Sequence, residues 1–166
     1  MLMPDVVVPA AQDVTPELLN LYGVKAVMVD LDDTILASSE TQLGESVRHW
    51  LASLHDAGMP VAMLSNGARD RVERSCQELG IDGHHLAGKP FWWAFQRGLK
   101  RLGYKAGETA MIGDQIFTDV LGANLAGMVS VLVRPLSPGR LPHTRAARYL
   151  ERWILQGGGH GRPVDR

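Results

Sequence analysis

Short apolar runs along the chain alternate with longer stretches in which apolar residues recur every three or four positions. That alternation predicts strands covered by helices, an α/β domain around a mostly parallel sheet. Five strand candidates stand out, at 24–30, 60–64, 109–112 and 129–133, with a weaker one at 84–87. Several are apolar throughout rather than alternating, as strands buried on both faces are. Helices are predicted between them over 43–57, 68–79, 91–102 and 116–126, each ended by a glycine: Gly58, Gly80, Gly103 or Gly127. Those glycines suit the left-handed position that closes a helix. Thr15 and Pro16 form an N-cap and first-turn pair for a short helix ending near Gly23. A further amphipathic segment, 143–155, is expected to dock as a C-terminal helix, and the glycine-rich 157–166 reads as a flexible tail. Residues 1–156 then form a single domain.

Composition narrows the class. At 166 residues, 45% hydrophobic and 21% charged, the chain fits one ordinary globular domain but not two. A net charge of -1 gives no overall attraction to nucleic acid or anionic membrane. The lone Cys76 has no partner for an internal disulfide. The first residues carry no basic segment ahead of an apolar run, and no apolar stretch approaches the length of a bilayer span. A cytoplasmic protein is expected.

The chemistry sits where strands end. In Asp30-Leu31-Asp32-Asp33-Thr34, side chains two apart on extended backbone face the same way, so Asp30 and Asp32 converge at the carboxyl edge of the sheet. Taken alone, this cluster equally fits a solvated, aspartate-rich turn. Ser65-Asn66-Gly67 ends the next strand and offers a hydroxyl and free backbone N–H groups to a phosphate, although the tripeptide is also a common turn. Lys89, in Gly88-Lys89-Pro90, brings a positive charge to the same edge. Asp114 and Asp119, in Gly113-Asp114-Gln115-Ile116-Phe117-Thr118-Asp119, follow a further strand and face one pocket; Asp119 alone also fits a first-turn residue complementing a helix dipole. Four such pieces in order, two acidic and two suited to phosphate, form a constellation that bland readings explain poorly. In the helix over 91–102, Phe91, Phe95, Leu99 and Leu102 supply the core-facing stripe. Trp92 and Trp93 are then either packed on neighbouring loops or, for at least one, exposed near the mouth.

The order DxDxT, Ser-Asn, Lys-Pro and GDQxxTD resembles the haloacid dehalogenase-like superfamily of phosphohydrolases. It is most similar to the capless subfamily IIIA group called YqeG-like, through Pro4-Asp5, Thr15-Pro16-Glu17-Leu18-Leu19, Gly113-Asp114-Gln115 with Thr118-Asp119-Val120, and Thr144, Arg148, Glu151 and Arg152. The resemblance implies a Rossmann-like three-layer core without a cap domain. Two positions depart from the pattern: Asp33 stands where asparagine or glycine is usual, and Gly67 where a second asparagine is usual.

By that resemblance Asp30 is the nucleophile that takes up the phosphoryl group, and Asp32 the acid and base that serves the leaving oxygen and then water. Asp30, Asp114 and the main-chain carbonyl of Asp32 are implied ligands of Mg²⁺. A cation is needed because four carboxylates near a phosphate repel by roughly 4 kcal/mol per close pair at an effective dielectric of about 20. Ser65, Lys89 and the backbone around Leu31 and Asn66 would hold the phosphoryl oxygens, with Thr34 and Asp119 in support. The short gaps between motifs imply an open mouth, one that serves a bulky, lipid or macromolecular phosphate such as phosphatidylglycerophosphate or is closed by a second copy in a homo-oligomer. The competing readings are a phospho-receiver signalling domain and a noncatalytic scaffold. A receiver carries its lysine on the last strand, whereas Lys89 here precedes another acidic motif.

Overall fold

The computed structural model describes residues 1–137. The predicted helix at 143–155 and the tail at 157–166 lie outside the described residues. Six strands, β1 (Val6–Val8), β2 (Ala26–Val29), β3 (Val61–Leu64), β4 (Asp82–His84), β5 (Thr109–Gly113) and β6 (Val129–Val133), form one all-parallel sheet in the order β1-β6-β5-β2-β3-β4. From β2 the chain runs outward through β3 to β4, then returns to β5 on the other side of β2. The carboxyl ends of β2 and β5 therefore flank the switch in strand order, where α/β sheets open a crevice.

Successive residues of the central strands serve opposite faces. Val27, Val29, Met63, Ala110 and Ile112 join one apolar cluster; Met28, Leu64 and Met111 join the other. The first face is covered by α1 (Pro16–Leu21), α2 (Glu45–Asp56) and α3 (Arg69–Leu79), the second by α4 (Trp92–Leu102) and α5 (Leu121–Ala126). This is the three-layer sandwich expected, with no cap among the described residues. Thr15 caps α1 as expected, its Oγ1 accepting from Leu18 N at 3.2 Å ahead of Pro16 in the first turn. In α2, Val47, Trp50, Leu51 and Leu54 are buried at helical spacing, and Trp50 Nε1 donates to Val14 O at 2.9 Å.

Four expectations need correction. β1 is an additional strand, three valines between Asp5 and Pro9, too short to stand out as a run. It is fixed at its start by Asp5, whose Oδ2 accepts from Ser130 N (2.8 Å) and Ser130 Oγ (3.1 Å) on β6. β4 occupies 82–84 rather than 84–87, because the chain turns at Leu86 (φ 43°) and runs back along the loop after β3. The segment 116–126 is not one α-helix: a π-helical turn, Ile116–Val120, precedes α5. Phe91 is not in the core stripe of α4; it is the exposed N-cap residue, and the buried face is Ala94, Phe95, Gly98 and Leu99.

Candidate active site

Asp30 continues β2, its N–H donating to Ile112 O on β5 at 2.9 Å, and its side chain is buried at the carboxyl edge. The chain then turns tightly, with Thr34, Ile35 and Leu36 N–H all donating to Leu31 O. Asp33 takes a left-handed conformation within this turn (φ 61°), a position that favours glycine or asparagine. Its carboxylate compensates by accepting from Ser38 N (3.1 Å), Ser38 Oγ (2.7 Å) and Ser137 Oγ (2.5 Å). The turn delivers Thr34 inward, where Oγ1 donates to Asp114 Oδ1 at 3.2 Å and stands 3.5 Å from Asp30 Oδ2.

Ser65 ends β3, buried, with its Oγ accepting from Gly67 N at 3.0 Å. Beyond β4 the backbone returns to this loop through Leu86 N to Gly67 O and Ala87 N to Ser65 O. The Asn66 side chain holds the returning strand: Oδ1 accepts from Gly88 N and Lys89 N, and Nδ2 donates to Lys89 O. Asn66 thus uses its side chain to place Lys89 rather than to face the acidic cluster. Lys89 points into the protein, donating to Asp30 Oδ1 at 2.9 Å and Asp119 Oδ1 at 2.6 Å.

Asp119 reaches that lysine because of the π turn. Val120 N–H donates back five residues to Gln115 O, and the wider turn swings residue 119 inward. Its Oδ2 accepts from Gln115 N at 3.1 Å. Carboxylate oxygens of Asp30, Asp114 and Asp119 lie within 4.8 Å of one another, all buried.

The resulting electrostatics is unbalanced, with three buried carboxylates meeting one buried ammonium. Burial, with Asp119 and Asp30 nearby, pushes Asp114 up to about 8. Burial likewise raises Asp30 to about 6 against the pull of Lys89, with Asp119 adding to the rise. Lys89 loses charge stabilisation to burial, but the charges and hydrogen bonds of Asp119 and Asp30 outweigh this and raise its pKa. Hard oxygen donors short of positive charge are the donor set of a divalent cation such as Mg²⁺.

Asp30, Thr34, Lys89, Asp114 and Asp119 are therefore brought together as expected, with Ser65 at the end of the neighbouring strand. The Asp32 carboxylate is not in the cluster: its Oδ1 accepts from Arg71 Nε at 2.6 Å. Arg71 was not singled out by sequence, since it is one of several arginines on α3 and only the fold shows it crossing to the loop after β2. A surface groove lined by His55, Pro60, Cys76, Gln77, Asp82 and Arg101 opens at the opposite, amino end of β3 and β4 and shares none of these residues.

Residues 10–127 match the family described as "Hydrolase: haloacid dehalogenase-like hydrolase". The chain belongs to the haloacid dehalogenase-like hydrolases. Within them it is 33% identical over 153 residues to "Probable phosphatase YqeG" of Bacillus subtilis (strain 168), covering 92% of this chain and 89% of that protein. It is 30% identical over 179 residues to "Phosphatidylglycerophosphate phosphatase 1, chloroplastic/mitochondrial" of Arabidopsis thaliana, covering 98% of this chain but 50% of that protein. The fold is shared with the cobalt-bound deoxy-D-mannose-octulosonate 8-phosphate phosphatase of Haemophilus influenzae, with a TM-score of 0.52 at 24% identity over 82% of this chain and 90% of that one. It is also shared with a haloacid dehalogenase-like phosphatase of Thermococcus onnurineus, with a TM-score of 0.55 at 19% identity over 82% of this chain and all of that one. This haloacid dehalogenase-like hydrolase is a phosphoric monoester hydrolase. None of its described helices is long and apolar enough to cross a membrane.

Proposed function

We propose that the chain is a Mg²⁺-dependent phosphatase working through an aspartyl-phosphate on Asp30, and that its substrate carries a bulky apolar alcohol, as phosphatidylglycerophosphate does. The observation that carries the reading is the gathering of Asp30, Asp114 and Asp119 around one buried lysine at the carboxyl edge of the sheet. Asp30 attacks phosphorus in line, and Asp32 gives a proton to the leaving oxygen. In the second half Asp32 takes a proton from the water that attacks the intermediate and frees Asp30. Lys89 and Ser65 hold phosphoryl oxygens; Ser65 Oγ accepts from Gly67 N and has its own proton to give. Asp119 and Thr34 hold Lys89, Asp30 and Asp114 in place. Asp30, Asp114 and the main-chain carbonyl of Asp32 are the assigned ligands of Mg²⁺, which when bound offsets the excess carboxylate charge and polarises the phosphoryl group. With no transmembrane helix described and Cys76 the sole cysteine of the chain, the reading places the enzyme in the cytoplasm.

Exposed aromatics that follow Lys89 and precede Asp119 in sequence support this substrate class. Trp92 (64% exposed) and Phe91 open α4 directly after Lys89, and Phe117 (53% exposed) lies in the turn that carries Asp119. Trp93 stacks on Phe91 at 6.1 Å, with the Arg97 guanidinium 5.3 Å from its ring. Exposed aromatics close in sequence to Lys89 and Asp119 suit a ligand that is apolar beyond its phosphate. The similarity to the Arabidopsis phosphatase supports the same class. A phosphate-release assay tests the reading: turnover of an aryl phosphate depends on Mg²⁺ and disappears in Asp30→Asn. Retention of the wild-type rate by Asp30→Asn would refute it. Trp92→Ala should lose roughly tenfold or more in kcat/KM on micellar phosphatidylglycerophosphate, beyond its loss on the aryl phosphate.

A further inference from the structure

Arg71 lies in the first turn of α3 and touches neither the acidic cluster nor Lys89, yet each of its three guanidinium nitrogens is engaged. Nε donates to Asp32 Oδ1 at 2.6 Å, one terminal nitrogen to Glu40 O at 2.6 Å, and the other to Ala37 O at 2.9 Å. Two main-chain oxygens from the loop after β2 fix the plane of the guanidinium, and the third contact fixes the carboxylate. A partly exposed ion pair of this kind adds little stability, but a guanidinium held by three acceptors defines an orientation that a single-point lysine contact does not.

The other oxygen of Asp32 lies in a space that only a glycine leaves open. A Cβ at position 67 would stand 2.7 Å from Asp32 Oδ2 and 3.1 Å from Ser65 Oγ. Oδ2 and the Ser65 hydroxyl therefore both border the space left open at Gly67, while Oδ1 is held by Arg71. Gly67 has no left-handed backbone requirement, so what it contributes at this point is room.

We propose that Arg71 is the positioning residue for Asp32, holding Oδ1 so that Oδ2 is aimed at the leaving oxygen, with Gly67 providing the space for that rotamer. The proposal rests on the phosphatase reading above and adds to it a residue that acts through Asp32. As the bond from phosphorus to the leaving oxygen breaks, its electron pair stays on that oxygen and Asp32 supplies the proton. In the second half, water forms the new bond to phosphorus, the bond to Asp30 breaks, and Asp32 takes the proton from water. Arg71 neither gains nor loses a proton in either half.

A role through the general acid has a signature that a structural role lacks. Departure of a nitrophenolate needs little protonation, whereas departure of an alkoxide depends on it. Arg71→Ala should lower kcat/KM, which reports only the steps up to departure of the leaving group, by roughly ten- to a hundredfold on an alkyl phosphate such as glycerol phosphate, and much less on nitrophenyl phosphate, within the range open to a general acid. Arg71→Lys should recover only part of the loss. Adding Arg71→Ala to Asp32→Asn should cost nothing further, since both remove one function. Gly67→Ala, which displaces Oδ2 with Arg71 intact, should reproduce the same dependence on leaving group and serves if Arg71→Ala folds poorly. Equal losses on both substrates, or losses that add to Asp32→Asn, would overturn the role of Arg71 and leave the phosphatase reading standing. A wild-type protein inactive on both phosphates with Mg²⁺ would overturn both.

Discussion

Asp119 lays its carboxylate directly over Gly113, so closely that a Cβ at position 113 would stand 2.1 Å from Oδ2 and 2.2 Å from Cγ. The strand end must be bare for the π turn to fold the carboxylate back, and the folded carboxylate is what anchors Lys89 together with Asp30. The glycine and the second aspartate of the motif are therefore one device, although they stand six positions apart.

Gly113→Ala is accordingly expected to push Asp119 away and loosen Lys89. A displacement of this kind costs roughly a hundredfold in kcat, and overpacking costs about 1–3 kcal/mol of stability. Asp119→Asn keeps the volume but removes the charge facing Lys89, so it should lose activity without the clash at position 113. Steady-state kinetics beside urea unfolding of the two variants separates them; an active, fully stable Gly113→Ala would show that the close approach is not required.

Which features were legible in sequence follows from their range. The central strands, the helix-ending glycines Gly80, Gly103 and Gly127 (φ 66°, 77° and 75°), and Asp30 and Asp114 at strand ends are local patterns, and each lies where the periodicity put it. The features that escaped depend on distant partners. β1 is a strand because Asp5 meets Ser130, 125 residues away, and Arg71 matters because α3 passes beside the loop after β2. The π turn matters because it brings Asp119 to Lys89, 30 residues earlier. The backbone around Asn66 is expected to hold phosphate; that its side chain meets the Gly88-Lys89 backbone is a separate contact, which no spacing rule indicates.

Cys76 yields a prediction away from the site. Packed by Met63 and Gly83, its thiol is pushed from its ordinary 9.0 up to about 11 by burial, with Asp82 and Glu73 adding to the rise. At pH 8 the native thiolate fraction is then on the order of one in a thousand, against about a quarter for a free cysteine of pKa near 8.5. The sign for stability follows: the unfolded chain ionises first, so the contribution of this thiol is fully present below pH 9 and is lost as pH rises through 11. Labelling by a disulfide reagent should be slow in the native protein, gain about tenfold per pH unit between 8 and 10, and become fast in urea. Rapid native labelling at pH 8 would contradict the packing of the half-buried thiol against Met63 and Gly83.

The charge imbalance at the carboxyl edge leads to the last prediction. With Lys89 the one ammonium beside three carboxylates, the folded chain has a standing deficit of positive charge, whereas the unfolded chain disperses the same groups in water. A cation that binds only the folded state stabilises it by mass action, about 2.7 kcal/mol at a hundredfold excess over its dissociation constant. Mg²⁺ should therefore raise the midpoint of thermal unfolding in the absence of substrate, and chelation should reverse the rise. Asp114→Asn removes one assigned ligand and also relieves part of the repulsion. It should make the metal-free protein as stable as the wild type or more so, while abolishing most of the Mg²⁺-dependent rise. Calorimetry of both proteins with and without Mg²⁺ reads the two effects separately. An undiminished rise in Asp114→Asn would move the ion away from the cluster, and a metal-free variant much less stable than the wild type would show that Asp114 is held by structure rather than kept for a cation.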